Sequence, residues 1–283
     1  MKNKPFTIKT MTPSELDIVV DWAAKEGWNP GLSDAKCYYL ADPNGFLMGY
    51  LGDEPIASIS VVKYNDTFGF LGFYIVKPQY RGLGYGWQIW QAGLQYLHGC
   101  NIALDGVVAQ QGNYKKTGFK LAYRNIRFAG SGGGTVPELS HIVPINTVPL
   151  AMLFNYEQEF FPANRNNFLS EWVNQPNSHA LAVIEAGQIE GYGVIRPCQN
   201  GYKIGPLFAN TVQQAQQLFQ ALRAKTLPCD TVFLDVPEVN DAAVTLAKRH
   251  GMLPTFETAR MYTIETPNLP LDRIYGVTSF EIG

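Results

Sequence analysis

The chain repeats itself, and this limits the folds open to it more than any other feature of the sequence. Two alternating segments, 54–62 and 187–195, carry Ile56 and Ile189 at positions 133 apart. Two glycines that follow helix-like runs, Gly118 and Gly251, keep the same spacing. Alternating apolar residues mark half-buried strands, and a glycine after a helical run marks a helix end. A duplicated α/β unit is therefore expected, each copy taking about half of the 283 residues.

The periodicity predicts, in the first copy, a strand at 6–10, a helix at 13–25, and strands at 46–51, 56–64 and 70–76. A helix with Trp87, Trp90, Leu94 and Leu97 on one face follows, then a strand at 102–108 and a short helix ending at Gly118. The second copy repeats the order: a strand at 142–145, helical stretches through Phe154 and Trp172, and strands at 180–185, 189–196 and near 202–205. Next come a helix with Val212, Ala215, Phe219 and Leu222 at core spacing, a strand at 231–236, and a helix at 241–250 capped by Asn240. The fold class is α/β in the α+β sense: two tandem units, each a mixed, mostly antiparallel sheet flanked by helices. The run Gly130-Ser131-Gly132-Gly133-Gly134 has no packing surface of its own. It sets the expected division as 1–128, a linker at 129–140, and 141–283.

Composition removes several classes of function. With 22 Lys+Arg against 24 Asp+Glu there is no basic field to draw the chain to nucleic acid. Cys37, Cys100, Cys198 and Cys229 are too scattered for a zinc knuckle or a disulfide framework, and His98, His141, His179 and His250 show no ligand spacing. No metal is expected. The longest apolar run, 68–76, is far short of the roughly 20 residues that span a bilayer. These features favour a cytoplasmic protein with reduced thiols, bound neither to membrane nor to nucleic acid.

The chemistry is concentrated at Val76-Lys77-Pro78-Gln79-Tyr80-Arg81-Gly82-Leu83-Gly84-Tyr85-Gly86-Trp87, which joins an apolar strand to an amphipathic helix. Three glycines let the backbone turn several N–H groups toward one point at the positive end of a helix, a cradle for a pyrophosphate. The spacing is neither the dinucleotide fingerprint nor a Walker loop.

Arg81-Gly82-Leu83-Gly84-Tyr85-Gly86 resembles the R/Q-x-x-G-x-G motif of the GNAT superfamily of N-acetyltransferases, and Tyr114-Lys115-Lys116-Thr117-Gly118-Phe119 resembles its closing Y-x-x-x-G-F signature. Runs at Glu26-Gly27-Trp28-Asn29-Pro30-Gly31, Asp42-Pro43-Asn44-Gly45-Phe46, Leu104-Asp105-Gly106-Val107 and Ile204-Gly205-Pro206-Leu207-Phe208-Ala209 resemble a tandem GNAT family with a divergent second domain, so the resemblance covers essentially the whole chain. It implies direct acetyl transfer from acetyl-CoA, as cosubstrate, to a primary amine, most simply that of a small molecule. Protein lysine, another acyl group, or acyl-CoA binding without turnover are the alternatives.

The resemblance also implies roles. Tyr74, Ile75 and Val76 would pair with the pantetheine arm, and Arg81, Gly82, Leu83, Gly84, Tyr85 and Gly86 would hold the pyrophosphate. Tyr114 matches the family's general acid. The Asn that usually precedes this tyrosine by seven residues is Val107 here, so Asn113, Gln110 or Gln111 would grip the arm instead. Asp105 or Asp34 is a candidate base, with a water chain as the alternative, and Trp28, Asn29 and Asp34 would shape the acceptor site; Glu257 and Arg260 could point into the interface between the units. The second copy has Asn240 at the Asn position, Ala247 for the tyrosine, and Gly205-Pro206-Leu207-Phe208 where the loop is expected. One catalytic centre in the first half, completed or covered by the second, and a monomer or weak homodimer are expected.

Overall fold

The computed structural model describes residues 4–135 and 141–283. The first half runs β1 (Phe6–Thr10), α1 (Pro13–Lys25), α2 (Asp34–Ala41), β2 (Phe46–Leu51), β3 (Glu54–Lys63), β4 (Phe68–Val76), α3 (Tyr85–Tyr96), β5 (Asn101–Val107), α4 (Gln111–Lys116) and β6 (Lys120–Ser131). The second runs β7 (Ile142–Pro144), α5 (Leu150–Glu157), α6 (Asn166–Trp172), β8 (His179–Glu185), β9 (Gln188–Pro197), β10 (Tyr202–Ala209), α7 (Val212–Arg223), β11 (Thr231–Pro237), α8 (Asp241–Arg249), β12 (Leu253–Tyr262) and β13 (Ile274–Gly276). The same order of elements thus occurs twice.

Local chemistry explains the elements. Thr12 caps α1 and exchanges hydrogen bonds with Glu15, Pro13 opens the helix, and Leu16, Val19, Val20 and Ala23 bury one stripe. In α3 the buried stripe is Ile89, Trp90 and Gly93, while Trp87 is 53% exposed, contrary to its expected place in the core. Asn240 caps α8 through the Ala243 N–H, at 3.0 Å. Asp34, expected in a loop, is the first residue of α2.

The halves are joined by an exchange of strands. The described strands form one sheet in the order β1-β2-β3-β4-β5-β12-β6-β11-β10-β9-β8-β7, with β13 pairing β10. The last strand of the second half, β12, lies against β5 of the first, with Arg260 opposite Asp105. Conversely, β6 of the first half lies against β11 of the second, with Phe128 opposite Leu234. The expected linker is therefore docked in part: Gly130 and Ser131 belong to β6 and pair with Val232 and Thr231. Gly132 donates to the Asp230 carbonyl at 2.7 Å, and Gly133 to Thr226 Oγ1 at 3.2 Å. Of the residues assigned to that linker, 136–140 lie outside those described.

One apolar cluster spans both halves, combining Leu16, Val19, Tyr38 and Phe73 with Phe168, Trp172, Tyr192 and Phe280. Residues 277–283 run buried through this junction.

Candidate active site

β4 and β5 are parallel neighbours only from Phe68 to Leu71 and from Asn101 to Leu104; beyond that they part. The cause lies in β4. Phe73, buried within the strand, has φ of +43°, a conformation that costs a side-chain-bearing residue about 1–3 kcal/mol. The register against β3 shifts there, between Ser58 and Ser60, and the Ser58 hydroxyl donates to the Phe73 carbonyl at 2.8 Å. A bulge of this kind bends a strand and increases its twist. Residues 75 and 76 remain paired with β3, and the opposite edge of β4 is left facing a cavity of about 550 Å³.

Tyr74, Ile75 and Val76 form one wall of this cavity, and Leu104, Gly106 and Val107 of β5 the other. Tyr114 projects between them from α4. Its ring stacks on Trp90 with centroids 5.7 Å apart, and a Cβ at Gly106 would lie 2.2 Å from its Cε2, so only glycine leaves the ring its seat. Burial, with the nearby Tyr74 phenol, pushes the Tyr114 pKa up to about 12. A buried phenol of this kind stays protonated at neutral pH and can donate its proton.

At one end of the cavity the chain from β4 to α3 spans residues 77–84. Gly82 and Gly84 have φ of +77° and +85°, and nothing lies within 4 Å of where their side chains would be. Gly84 begins α3 with no side chain capping it, so the first-turn N–H groups face outward. Arg81 donates through Nε to the Val76 carbonyl at 2.8 Å and pairs with Glu26. Open glycines, free amides and an unpaired strand edge are what an extended thioester with a pyrophosphate head requires, and the residues fit it.

Several expected site residues stand elsewhere. Asp34 does not reach the cavity: its carboxylate is fully buried and held by Arg196, at 2.8 and 3.2 Å, by the Gly31 N–H and by the Tyr38 hydroxyl. Burial opposes its charge, but the Arg196 guanidinium keeps its pKa below the usual carboxylate range. Asn29 is also structural, its amide donating to the Asn200 carbonyl and its oxygen accepting from the Asn200 N–H. Asn113 is tied to Gln110, and it is Gln110 that lines the cavity. Leu83 and Tyr85 do not line the cavity: Leu83 is exposed, and the Tyr85 ring packs on Phe6.

Trp28 does line the cavity, and so does Asp105, although both Asp105 oxygens are taken, by Arg260 at 2.9 and 2.6 Å and by Asn125 at 2.8 Å. Burial raises the Asp105 pKa against the pull of Arg260. Glu257 pairs with Arg124. Four lining residues missed from the sequence come from the second half: Phe256 and Thr258 on β12, and Phe280 and Glu281 beyond β13. Their positions depend on the strand exchange, which no local pattern announces.

The second half has the corresponding wedge, but it is filled. β10 and β11 are parallel at residues 202–204 and 232–234, and β13 then enters, setting Gly276 opposite Leu207 and Ile274 opposite Phe208. Val277 N–H donates to the Asp235 carbonyl at 2.8 Å. Asn240, in the position of an arm-binding amide, instead donates to the carbonyls of Leu271, Asp272 and Ile274 at 3.0, 3.2 and 2.9 Å. Gly205-Pro206-Leu207-Phe208 lies within β10 and is not a loop. Only Asn210 and Thr211 separate β10 from α7, whose first turn is closed by a capping box between Thr211 and Gln214.

The family comparisons agree with this duplication. A model of the acetyltransferase (GNAT) family matches residues 15–119, and a model of an acetyltransferase (GNAT) domain matches residues 153–276. The chain belongs to the GNAT superfamily and is a tandem-domain transferase. It is 29% identical over 282 residues to the holothin acyltransferase of Pseudoalteromonas sp. (strain SANK 73390), a match covering 100% of this chain and 96% of that protein. Among solved structures, a protein of Pyrococcus horikoshii proposed to be an acetyltransferase superposes with a TM-score of 0.82 at 23% identity, covering 100% of this chain and 97% of its own. A tandem GNAT protein from the clavulanic acid biosynthesis pathway gives 0.63 at 10% identity, covering 93% and 100%. These structural likenesses establish the fold.

Proposed function

We propose that the protein transfers the acetyl group of acetyl-CoA to a primary amine of a small molecule, in one active site formed by the first half and closed by the second. The observation that carries this reading is the parting of β4 and β5 beyond Leu71 and Leu104, with Tyr114 between the strands and the uncapped start of α3 at the open end. The thioester supplies an activated acyl carbon when bound. The β4 edge at residues 74–76 would pair with its extended arm as an added strand does, and the amides of residues 82–86 would hold its pyrophosphate. Tyr114 donates the proton that the departing sulfur needs.

A small acceptor fits the acceptor end, where Trp28, Phe73, Phe256 and Phe280 enclose an aromatic chamber. Aromatic walls with a few polar groups suit a compact molecule better than an extended peptide. The relative named for holothin makes holothin the first acceptor to test, with acyl groups longer than acetyl as the second variable. Three buried cysteines, Cys37, Cys100 and Cys198, all unpaired, suit a reducing cytoplasm. The halves bury their shared face within one chain, which suits a monomer. The test is release of free CoA from acetyl-CoA in the presence of holothin or a panel of small primary amines. Amine-dependent release with a matching acylated product is expected; acetyl-CoA binding without transfer to any amine contradicts the proposal.

A further inference from the structure

We infer that Glu281, delivered by the segment that fills the wedge of the second half, is the general base of the first half's site; this rests on the N-acyltransferase reading above. β4 itself offers no carboxylate, since residues 68–76 are apolar, glycine or tyrosine. After β13, residues 277–283 cross to β4, where the Glu281 carbonyl packs on Gly72. A Cβ at Gly72 would lie 2.0 Å from that oxygen, and the Ser60 hydroxyl donates to it at 3.3 Å. Glu281 lines the cavity at the point where β4 turns away from β5, while only 3% of the residue is exposed.

The other carboxylates of the cavity are committed. Asp105 accepts from Arg260 and Asn125 through both oxygens, and Glu26 is paired with Arg81 at the far end. Glu281 has one side-chain partner on α2: its Oε2 lies 3.1 Å from the Tyr38 hydroxyl, which also lies 3.0 Å from Asp34 Oδ2. That hydroxyl has one proton for two carboxylates. Because Arg196 holds Asp34 from its other side, Asp34 does not depend on that proton, which stays available to Glu281. Arg127 on β6, which is locked to Asp235 on β11, and Lys203 on β10 supply positive charge nearby.

In the transfer, the amine nitrogen bonds to the acyl carbon as the carbon–sulfur bond breaks. One N–H proton passes to Glu281, the sulfur takes the Tyr114 proton, and release of the Glu281 proton to solvent with reprotonation of Tyr114 restores both groups. The net products are an amide and CoA thiol. Tyr38 acts as a positioning residue.

The test measures kcat with acetyl-CoA and the acceptor found above, holothin or an amine of the panel, together with acetyl-CoA affinity by calorimetry. Glu281→Gln is expected to lower kcat about 100-fold or more, with affinity for acetyl-CoA within about twofold of wild type. In Glu281→Ala, added formate is expected to restore part of the rate. Wild-type kcat in Glu281→Gln, or a loss of acetyl-CoA affinity matching the loss of rate without rescue by formate, overturns the assignment. A wild-type protein that binds acetyl-CoA but acylates no amine overturns instead the reading on which it rests.

Discussion

The Arg196 guanidinium holds both carboxylate oxygens of Asp34, at 2.8 and 3.2 Å, joining β9 of the second half to α2 of the first with neither side chain exposed to solvent. Removing one partner of a buried pair leaves the other charge unpaired, at a cost of about 3–5 kcal/mol. Asp34→Asn is therefore expected to lower the unfolding free energy by that amount, read as a lower urea midpoint. Asp34 titrates below its unfolded value, so its contribution is present above about pH 4 and is lost as pH falls through its folded pKa. The difference between wild type and variant should shrink in acid; a gap that stays constant down to pH 2 contradicts this role.

Tyr114→Phe keeps the ring that stacks on Trp90 and removes only the hydroxyl. A fall in kcat of about 10²–10⁴-fold with unchanged acetyl-CoA affinity is expected. Steady-state kinetics beside calorimetry separates the two, and an equal loss of binding and rate would make Tyr114 a cofactor contact.

Because the Tyr114 pKa stands at about 12, this acid remains protonated through the neutral and mildly alkaline range. The pH profile of kcat/KM should rise with pH as the acceptor amine loses its proton, with no alkaline fall below about pH 10. An alkaline fall centred between pH 8 and 9, absent in Tyr114→Phe, would place the donor's pKa far lower than its burial dictates.

Gly72 leaves room for the Glu281 carbonyl, and any side chain there must displace it. Gly72→Ala is expected to cost about 1–3 kcal/mol through overpacking and to lower kcat more than acetyl-CoA affinity. Wild-type turnover in a destabilised variant would show that the position of residues 277–283 does not matter to the chemistry.

Much of this was legible locally. The bounds expected for β1, α1 and β2 coincide with those observed, because Thr12-Pro13 and the alternation at Phe46–Leu51 are signals held within a few residues. The glycine loop was legible for the same reason. Asp34 was read toward the acceptor because its partner Arg196 is 162 residues away, and nothing near Asp34 names it. The exchange of β6 and β12 was hidden similarly: alternation tells which face a residue occupies, not which strand lies beside it. Glu281 belongs to no motif and reaches the cavity only through β13, and Asn240, read as the remnant of an arm-binding site, holds that segment in place.

The central claim is a single acyl-CoA site, in the first half. Calorimetric titration with acetyl-CoA tests it most directly, comparing wild type with Gly84→Pro, whose ring cannot adopt the +85° φ found at that position. One site per chain, abolished by Gly84→Pro while the variant keeps its cooperative unfolding, is the predicted result. Two sites per chain would mean that β13 does not close the second wedge, and a single site indifferent to Gly84→Pro would place binding away from the loop that begins α3.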